Sequence, residues 1–282
     1  HDAQDLYVEK INPANPHEVE FEGRWERVEV VQEIILVKDR PEPVVEEVLI
    51  TRHGPIISKL VGEEKPLALR WVALERSDLL RAVLEYDRAS NWQEFRAALA
   101  HWSTPSHNFV YADVEGSIGY MQAGWMPVRA AGYGIAPAPG WTGEYEWQRY
   151  LTLDELPQVV NPDKGWIGVA NNLVVDETYP YFLSTDLENP VRAKRVADLV
   201  GAEGTFTAAD FARFQLDTYS AQAQRFVRHL LPIQPNGSRI PLFCIHGDEA
   251  NMFLPKYLGS DQPFYGVSHQ GDDGLPIPHR TV

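Results

Sequence analysis

Two adjacent amides, Asn171 and Asn172, close the run Gly165-Trp166-Ile167-Gly168-Val169-Ala170. The run is short and apolar, and Asn161-Pro162 and Asp163-Lys164-Gly165 bound it, so it reads as a buried strand. An amide at the end of such a strand needs partners, because a buried polar group left unpaired is costly. It can tie down the loop that follows. It can also aim an N–H at an oxygen on which negative charge develops during a reaction. Spacing alone favours the first use, since most buried amides are structural. Asp2 and Asp5, three apart, offer the oxygen ligands that a hard cation takes, although terminal acid pairs are commonly solvated. His53 stands in Arg52-His53-Gly54-Pro55. A single histidine beside a Gly-Pro turn reads as structural, and it is left out of the candidate site.

These residues need a framework, and 282 residues with 44% hydrophobic content supply one large domain or one and a part. The formal net charge of -15 comes without any basic block, which argues against a nucleic-acid partner. No stretch approaches the roughly 18 apolar residues of a membrane span, so no membrane partner is expected. The single cysteine, Cys244, excludes an internal disulfide and a thiolate metal cluster, and reads as a small buried hydrophobe. The sequence opens on His1 rather than Met and carries no signal peptide, so it is expected to be processed or cut from something longer.

Along the chain, Leu6, Val8 and Ile11 suit a strand with one buried face. Val28 to Lys38 and Val44 to Arg52 are β-branched runs that read as antiparallel strands, and Leu67 to Leu74 reads as another. A helix is predicted from Asp78 to Glu85. Ser90-Asn91-Trp92-Gln93 is a capping pattern that opens a helix to about His101, with Trp92, Phe95, Leu99 and Trp102 on its core face. Asn108 to Met121 reads as a hairpin turning at Val114-Glu115-Gly116. Residues 124–149, rich in Gly, Pro and Trp, read as a long irregular excursion packed by its own aromatics. Helices are predicted over Arg192 to Val200, from a cap at Thr207 to Asp210, and over Tyr219 to Leu231.

Longer motifs carry a resemblance. After Asn171 come Asp176-Glu177-Thr178-Tyr179-Pro180-Tyr181-Phe182-Leu183-Ser184-Thr185-Asp186 and then Arg192-Ala193-Lys194-Arg195-Val196. Upstream stand Ser106-His107-Asn108-Phe109-Val110-Tyr111-Ala112-Asp113, Gly116-Ser117-Ile118-Gly119-Tyr120 and Pro139-Gly140-Trp141-Thr142-Gly143-Glu144-Tyr145-Glu146-Trp147. In this order they resemble the penicillin acylase family of N-terminal-nucleophile amide hydrolases, over about residues 1–232. The resemblance implies an α+β fold: a partial αββα sandwich with antiparallel sheets. It implies hydrolysis of a linear amide between an acyl group and an amine, as in β-lactam antibiotics or acyl-homoserine lactones. Asn171 matches the family's oxyanion donor, and Arg195 matches an Arg that orients this Asn and the reacting amine. Val83 and His107 match positions lining the acyl pocket. A polar residue at His107 sits poorly with a purely aromatic acyl preference.

The family often carries a structural calcium. Asp2, Asp5, Asp186 and the carbonyl of Gln4 match its ligands, and the carbonyl near Gly134 matches less closely. The attacking group in the family is an N-terminal Ser whose own α-amine takes the proton. None of the eleven serines here is N-terminal. The expected partners are therefore a small-molecule amide substrate, a Ser-bearing segment and the α-chain of a precursor. This stretch alone is expected to be inactive, and a non-catalytic cation-binding or interaction module is the competing reading. Family relatives are commonly exported, so a periplasmic or extracellular location is expected.

Composition shifts after Pro232. Gln234-Pro235-Asn236-Gly237-Ser238-Arg239 reads as a linker. Ile240-Pro241-Leu242-Phe243-Cys244-Ile245-His246-Gly247 then reads as an apolar strand ending in His-Gly. Residues 238–282 resemble the start of an α/β-hydrolase thioesterase of peptide and polyketide synthetases, with no Gly-x-Ser-x-Gly elbow. The expected division is 1–232 and 233–282, the second part an incomplete α/β-hydrolase-like start, and a thioesterase-linked product-release protein is a further competing reading.

Overall fold

The computed structural model describes residues 3–230 apart from Thr185, Asp186, Glu188 and Glu203. The chain forms two compact units, His1–Glu188 and Asn189–Val282. The boundary expected at 232–233, Cys244 and the thioesterase-like stretch lie outside the described residues. Among the described residues no helix is long and apolar enough to cross a membrane.

The first unit is mostly antiparallel sheet. Strand β1 (Gln4–Val8) lies between β8 (Leu67–Trp71), to which it is antiparallel, and β12 (Ala138–Pro139), to which it is parallel with Tyr7 opposite Ala138. The expected polarity of β1 is reversed: Asp5 and Tyr7 are the buried residues, while Leu6 and Val8 are half-buried. The reason is tertiary. Asp5 meets an arginine, and the Tyr7 hydroxyl donates to the Tyr145 carbonyl at 2.7 Å, so both polar groups are satisfied on the inside. Strands β2 (Ile11–Asn12), β3 (Asn15–Phe21) and β4 (Arg24–Arg27) form a small meander. Its β3–β4 turn uses Glu22 and Gly23, both at positive φ (47° and 77°), as a two-residue hairpin requires. The two β-branched runs pair as expected: β5 (Glu29–Ile35) and β6 (Val44–Thr51) run in register from Glu29 opposite Ile50 to Ile35 opposite Val44. The short β7 (Gly54–Pro55) and helix α1 (Ser58–Val61) follow. Strand β8 stops at Trp71, earlier than expected, where a 3-10 turn covers Val72–Leu74.

Helix α2 covers Leu79–Tyr86, and α3 covers Trp92–Ala98 with a 3-10 turn continuing to His101. The cap of α3 is Asn91: its side chain accepts from Glu94 N at 2.9 Å, and the Glu94 carboxylate accepts from Ser90 N at 2.8 Å. Strands β9 (His107–Ala112) and β10 (Ile118–Ala123) form the expected hairpin around Asp113, whose carboxylate accepts from Glu115 N and Ser117 N. Helix α3 packs on this sheet through Trp92, and Gly119 makes room for it, since a Cβ there would overlap the indole. Trp92, Leu99, Tyr111, Met121, Met126 and Leu156 belong to the resulting core.

The expected excursion over 124–149 is more ordered than its composition suggests. It holds β11 (Pro127–Arg129), β12 and β13 (Trp147–Tyr150), with β11 and β13 antiparallel. Strand β14 (Gln158–Val160) joins the other edge of β10. The second unit is helical in its described part: α4 (Val191–Val200), α5 (Ala208–Gln215) and α6 (Ala221–Leu230). Thr207 and Asp210 form the expected capping box on α5.

Candidate functional site

The run Trp166 to Ala170 is not a strand. Its apolar character reports burial, which Ala170 shows, but a strand also needs a partner ladder, and none pairs with it among the described residues. The chain instead turns there. Asn171 is exposed rather than buried and has φ 58°, in the left-handed region that a non-glycine residue seldom adopts. The loop-tying role falls to its neighbour: Asn172 Oδ1 accepts from Ala170 N at 3.1 Å, and Asn172 Nδ2 donates to Leu173 O at 2.7 Å. The turn thus carries one amide that braces the main chain, next to an exposed asparagine at positive φ.

Arg195 lies on α4, in the second unit, whereas Asn171 belongs to the first. The Arg195 guanidinium forks the Asp217 carboxylate, with Nε to Oδ2 at 2.7 Å and Nη2 to Oδ1 at 3.0 Å, and lies 4.6 Å from the Tyr219 ring centre. This fork holds the Arg195 pKa above its ordinary value and lowers that of Asp217. It also ties α4 to the segment between α5 and α6.

Val83 is half-buried on α2. His107 opens β9, exposed, its ring 5.6 Å from that of Trp102. Trp102 stands edge-on to Phe109 at 5.0 Å, and Tyr86 lies 6.5 Å from Trp102. Tyr86 is one helical turn beyond Val83. His107 thus borders the aromatic cluster of Trp102, Phe109 and Tyr86, while Val83 lies on the helix that carries Tyr86.

Of the expected cation ligands, Asp2 and Asp186 lie outside the described residues. Gln4, Asp5 and Gly134 line one depression of about 320 Å³. Gly134 has φ 68°, and a Cβ there would overlap Asp5 Oδ1, so only glycine lets this main chain approach the carboxylate. Asp5 is already engaged: Arg129 donates through Nε at 2.7 Å and Nη2 at 2.6 Å, and Trp147 Nε1 donates at 2.7 Å. Carboxylate oxygens have lone-pair capacity beyond these three bonds. Asp5 is a carboxylate, the donor type of a hard cation, and in this structure the Arg129 guanidinium already balances its charge. Among the described residues no three His, Cys, Asp or Glu side chains converge as a metal site.

The sequence reading missed Arg129 and Trp147 as the partners of Asp5, because they lie 124 and 142 positions away. It also missed a buried polar cluster around His53. The ring Nδ1 lies 2.8 Å from Glu9 Oε1 and Nε2 lies 2.6 Å from Glu146 Oε1. The Thr51 hydroxyl donates to the same Glu9 oxygen at 2.7 Å, and the Tyr7 ring stacks on the imidazole at 3.9 Å. Burial disfavours the charged ring, but hydrogen bonds to Glu146 and Glu9 outweigh it and raise the His53 pKa above 6.5. His53 is structural, as its sequence context implied, and it joins β1 to the segment before β13.

A model of the penicillin amidase family matches residues 1–253, which runs beyond position 232. The chain is 34% identical over 223 residues to the penicillin acylase 2 proenzyme of Pseudomonas sp. (strain SE83), covering 78% of this chain and 28% of that protein. It is 31% identical over 255 residues to the acyl-homoserine lactone acylase QuiP of Pseudomonas aeruginosa, covering 86% of this chain and 29% of that one. The solved thermostable penicillin G acylase from Alcaligenes faecalis superposes with a TM-score of 0.65 at 26% identity, over 84% of this chain and 44% of that chain. The chain thus spans under a third of the length of these two curated relatives. With matching motifs, mixed helices and antiparallel sheets, and a family match over most of its length, the chain belongs to the penicillin amidase family.

Proposed function

We propose that the protein containing this chain hydrolyses a linear amide between an acyl group and an amine, in the class of β-lactam side-chain amides and acyl-homoserine lactones. The observation that carries this reading is the family match over residues 1–253; Asn171, exposed on a turn at positive φ, is the residue that the resemblance of the motifs pairs with the family's oxyanion donor. In this reading an N-terminal Ser from a preceding segment attacks the carbonyl. Its α-amine, with an ordinary pKa of about 7.7–8.0, takes the proton. The Asn171 N–H₂ donates to the tetrahedral oxyanion, and Arg195 orients the reacting groups. Val83 and His107 line the acyl pocket, and the α-chain of the precursor completes the enzyme. The αββα sandwich of N-terminal-nucleophile hydrolases is the architecture this reading assumes, with a periplasmic or extracellular location. The likeness of 238–282 to a thioesterase start rests on sequence alone.

The test is amine release by the full-length protein from chromogenic anilides and a series of acyl-homoserine lactones. Turnover on one of these classes is expected. A folded, full-length protein that turns over none of them would leave the non-catalytic module as the better reading.

Calcium belongs to the same proposal. Asp5, with the carbonyls of Gln4 and Gly134 and with Asp2 and Asp186, would hold the ion, which would supply structural bracing rather than a reaction step. Removing it with a chelator is expected to lower the melting temperature, and calcium to restore it. A melting temperature indifferent to both would remove calcium from the reading.

A further inference from the structure

The two ring nitrogens of His107 stand in different situations. Nδ1 lies 3.1 Å from the main-chain oxygen of Ser106. A carbonyl oxygen only accepts, so Nδ1 carries the hydrogen and donates. This bond selects the tautomer of the neutral ring and leaves Nε2 with a lone pair, as an acceptor. Among the described residues nothing hydrogen-bonds to Nε2, and His107 is exposed.

The surroundings of that nitrogen are mostly apolar. The ring lies 5.6 Å from Trp102 and 6.3 Å from Phe109. The Trp102 indole N–H is turned away to the Pro105 carbonyl, at 2.6 Å, so it offers no hydrogen to a neighbour. Tyr86, 6.5 Å from Trp102 and 6.1 Å from Phe109, leads onto α2. There Leu80, Val83 and Leu84 follow the three- and four-residue spacing of one helix face, with Leu80 72% and Leu84 49% exposed. A chain running from this stripe across the aromatic cluster lies mainly against carbon and meets Nε2.

Covering Nε2 with plain hydrocarbon takes a polar atom out of water with no partner, which is unfavourable. A hydroxyl removes that penalty. It donates to the lone pair of the neutral ring and accepts from the protonated one. A keto oxygen has no hydrogen to give and suits only the protonated ring. An anionic head is disfavoured, because Glu85 stands beside Tyr86 on α2 and the formal net charge is -15.

We propose that the acyl group accepted by this protein is an aliphatic chain carrying a hydroxyl, and that His107 recognises this hydroxyl through Nε2. The inference rests on the reading of Val83 and His107 as acyl-pocket residues of an amide hydrolase. It makes His107 a specificity-determining residue remote from the bond that breaks. A contact made equally by bound substrate and transition state acts on KM rather than on kcat.

The test is kcat and KM of the full-length protein on acyl anilides or acyl-homoserine lactones of one chain length. The chains are unsubstituted, or carry a single hydroxyl or keto group at successive carbons. The best hydroxylated chain is expected to exceed the unsubstituted one in kcat/KM by about 3- to 10-fold, the span of one net hydrogen bond, mostly through KM. The keto chain should fall below the hydroxylated one. His107→Phe keeps an aromatic ring and removes Nε2, and it is expected to bring the hydroxylated-to-unsubstituted ratio within about twofold of one. His107→Leu carries the same comparison if the Phe variant fails to fold. A wild type without a hydroxyl preference, or a preference that survives His107→Phe, would overturn this inference and leave amide hydrolysis standing. A folded protein that turns over none of these amides would overturn the underlying reading and this inference with it.

Discussion

On the proposed reading of Asn171 as oxyanion donor, its replacement by Ala in the full-length protein is expected to lower kcat by about 10²–10³-fold, about 3–4 kcal/mol on the barrier, the scale for one such donor. The loss falls on kcat and on kcat/KM alike, because the negative oxygen exists only in the transition state. Stability should hardly move. The residue is exposed, and its φ of 58° is one that alanine tolerates less well than asparagine, which adds a small backbone cost. Asn171→Gly separates the two contributions. Glycine takes the left-handed conformation freely, so it should match or exceed the Ala variant in melting temperature while losing the same activity. Rates are read on a chromogenic anilide and on an acyl-homoserine lactone. A variant with full turnover on both would place the oxyanion donor elsewhere.

The order of secondary structure was legible in the sequence wherever a local rule governs it. The β9–β10 hairpin was legible through its turn at Val114-Glu115-Gly116, α3 through its cap, and α5 through Thr207 and Asp210. What failed was inference from hydrophobicity to a particular use of burial. Trp166 to Ala170 is apolar, but whether an apolar segment pairs in a sheet depends on another stretch of chain, and the segment itself carries no record of that. Strand β1 was read inside out for a related reason. Its inward residues are Asp5 and Tyr7, which count as polar until Arg129, Trp147 and Tyr145 arrive from more than a hundred positions away.

The candidate site shows the same division. Asn171, Arg195, Val83, His107 and the acidic start were found by resemblance of ordered motifs, and composition or period would not have singled them out. Asn172 shared the motif with Asn171, and the choice between a loop tie and an outward donor was posed for one residue. In the structure Asn172 ties the loop through Ala170 N and Leu173 O, and Asn171 beside it is exposed at positive φ.

The largest effect on stability is expected at His53. Its side chain is fully buried between Glu9, itself buried, and the half-buried Glu146. Replacing it by Ala strands the Glu9 carboxylate in the interior with the Thr51 hydroxyl as its remaining side-chain donor among the described residues, and leaves a hole beneath the Tyr7 ring. Breaking a buried ion pair by removing one partner typically costs about 3–5 kcal/mol. Urea unfolding should register a loss of that size. The pH dependence follows from the signs. The folded pKa of His53 lies above its ordinary 6.5, because bonds to two carboxylates outweigh the penalty of burial. Its contribution is therefore fully present below pH 6.5 and is lost as pH rises through the folded value. Burial pushes the Glu146 carboxyl up, but the His53 bond and ring charge, with Arg52 and Arg70 nearby, hold it below 4.5 overall. Its contribution is present above pH 4.5 and is lost as pH falls through that lowered value. The cluster is thus strongest between these limits and weakens first on the alkaline side. Wild type should lose stability there, and His53→Ala should show a flatter profile above pH 6.5. Glu146→Gln should shift the alkaline loss to lower pH, since one of the two anions that raise the His53 pKa is gone. Equal slopes in wild type and His53→Ala above pH 6.5 would mean that the folded protein holds this ring neutral.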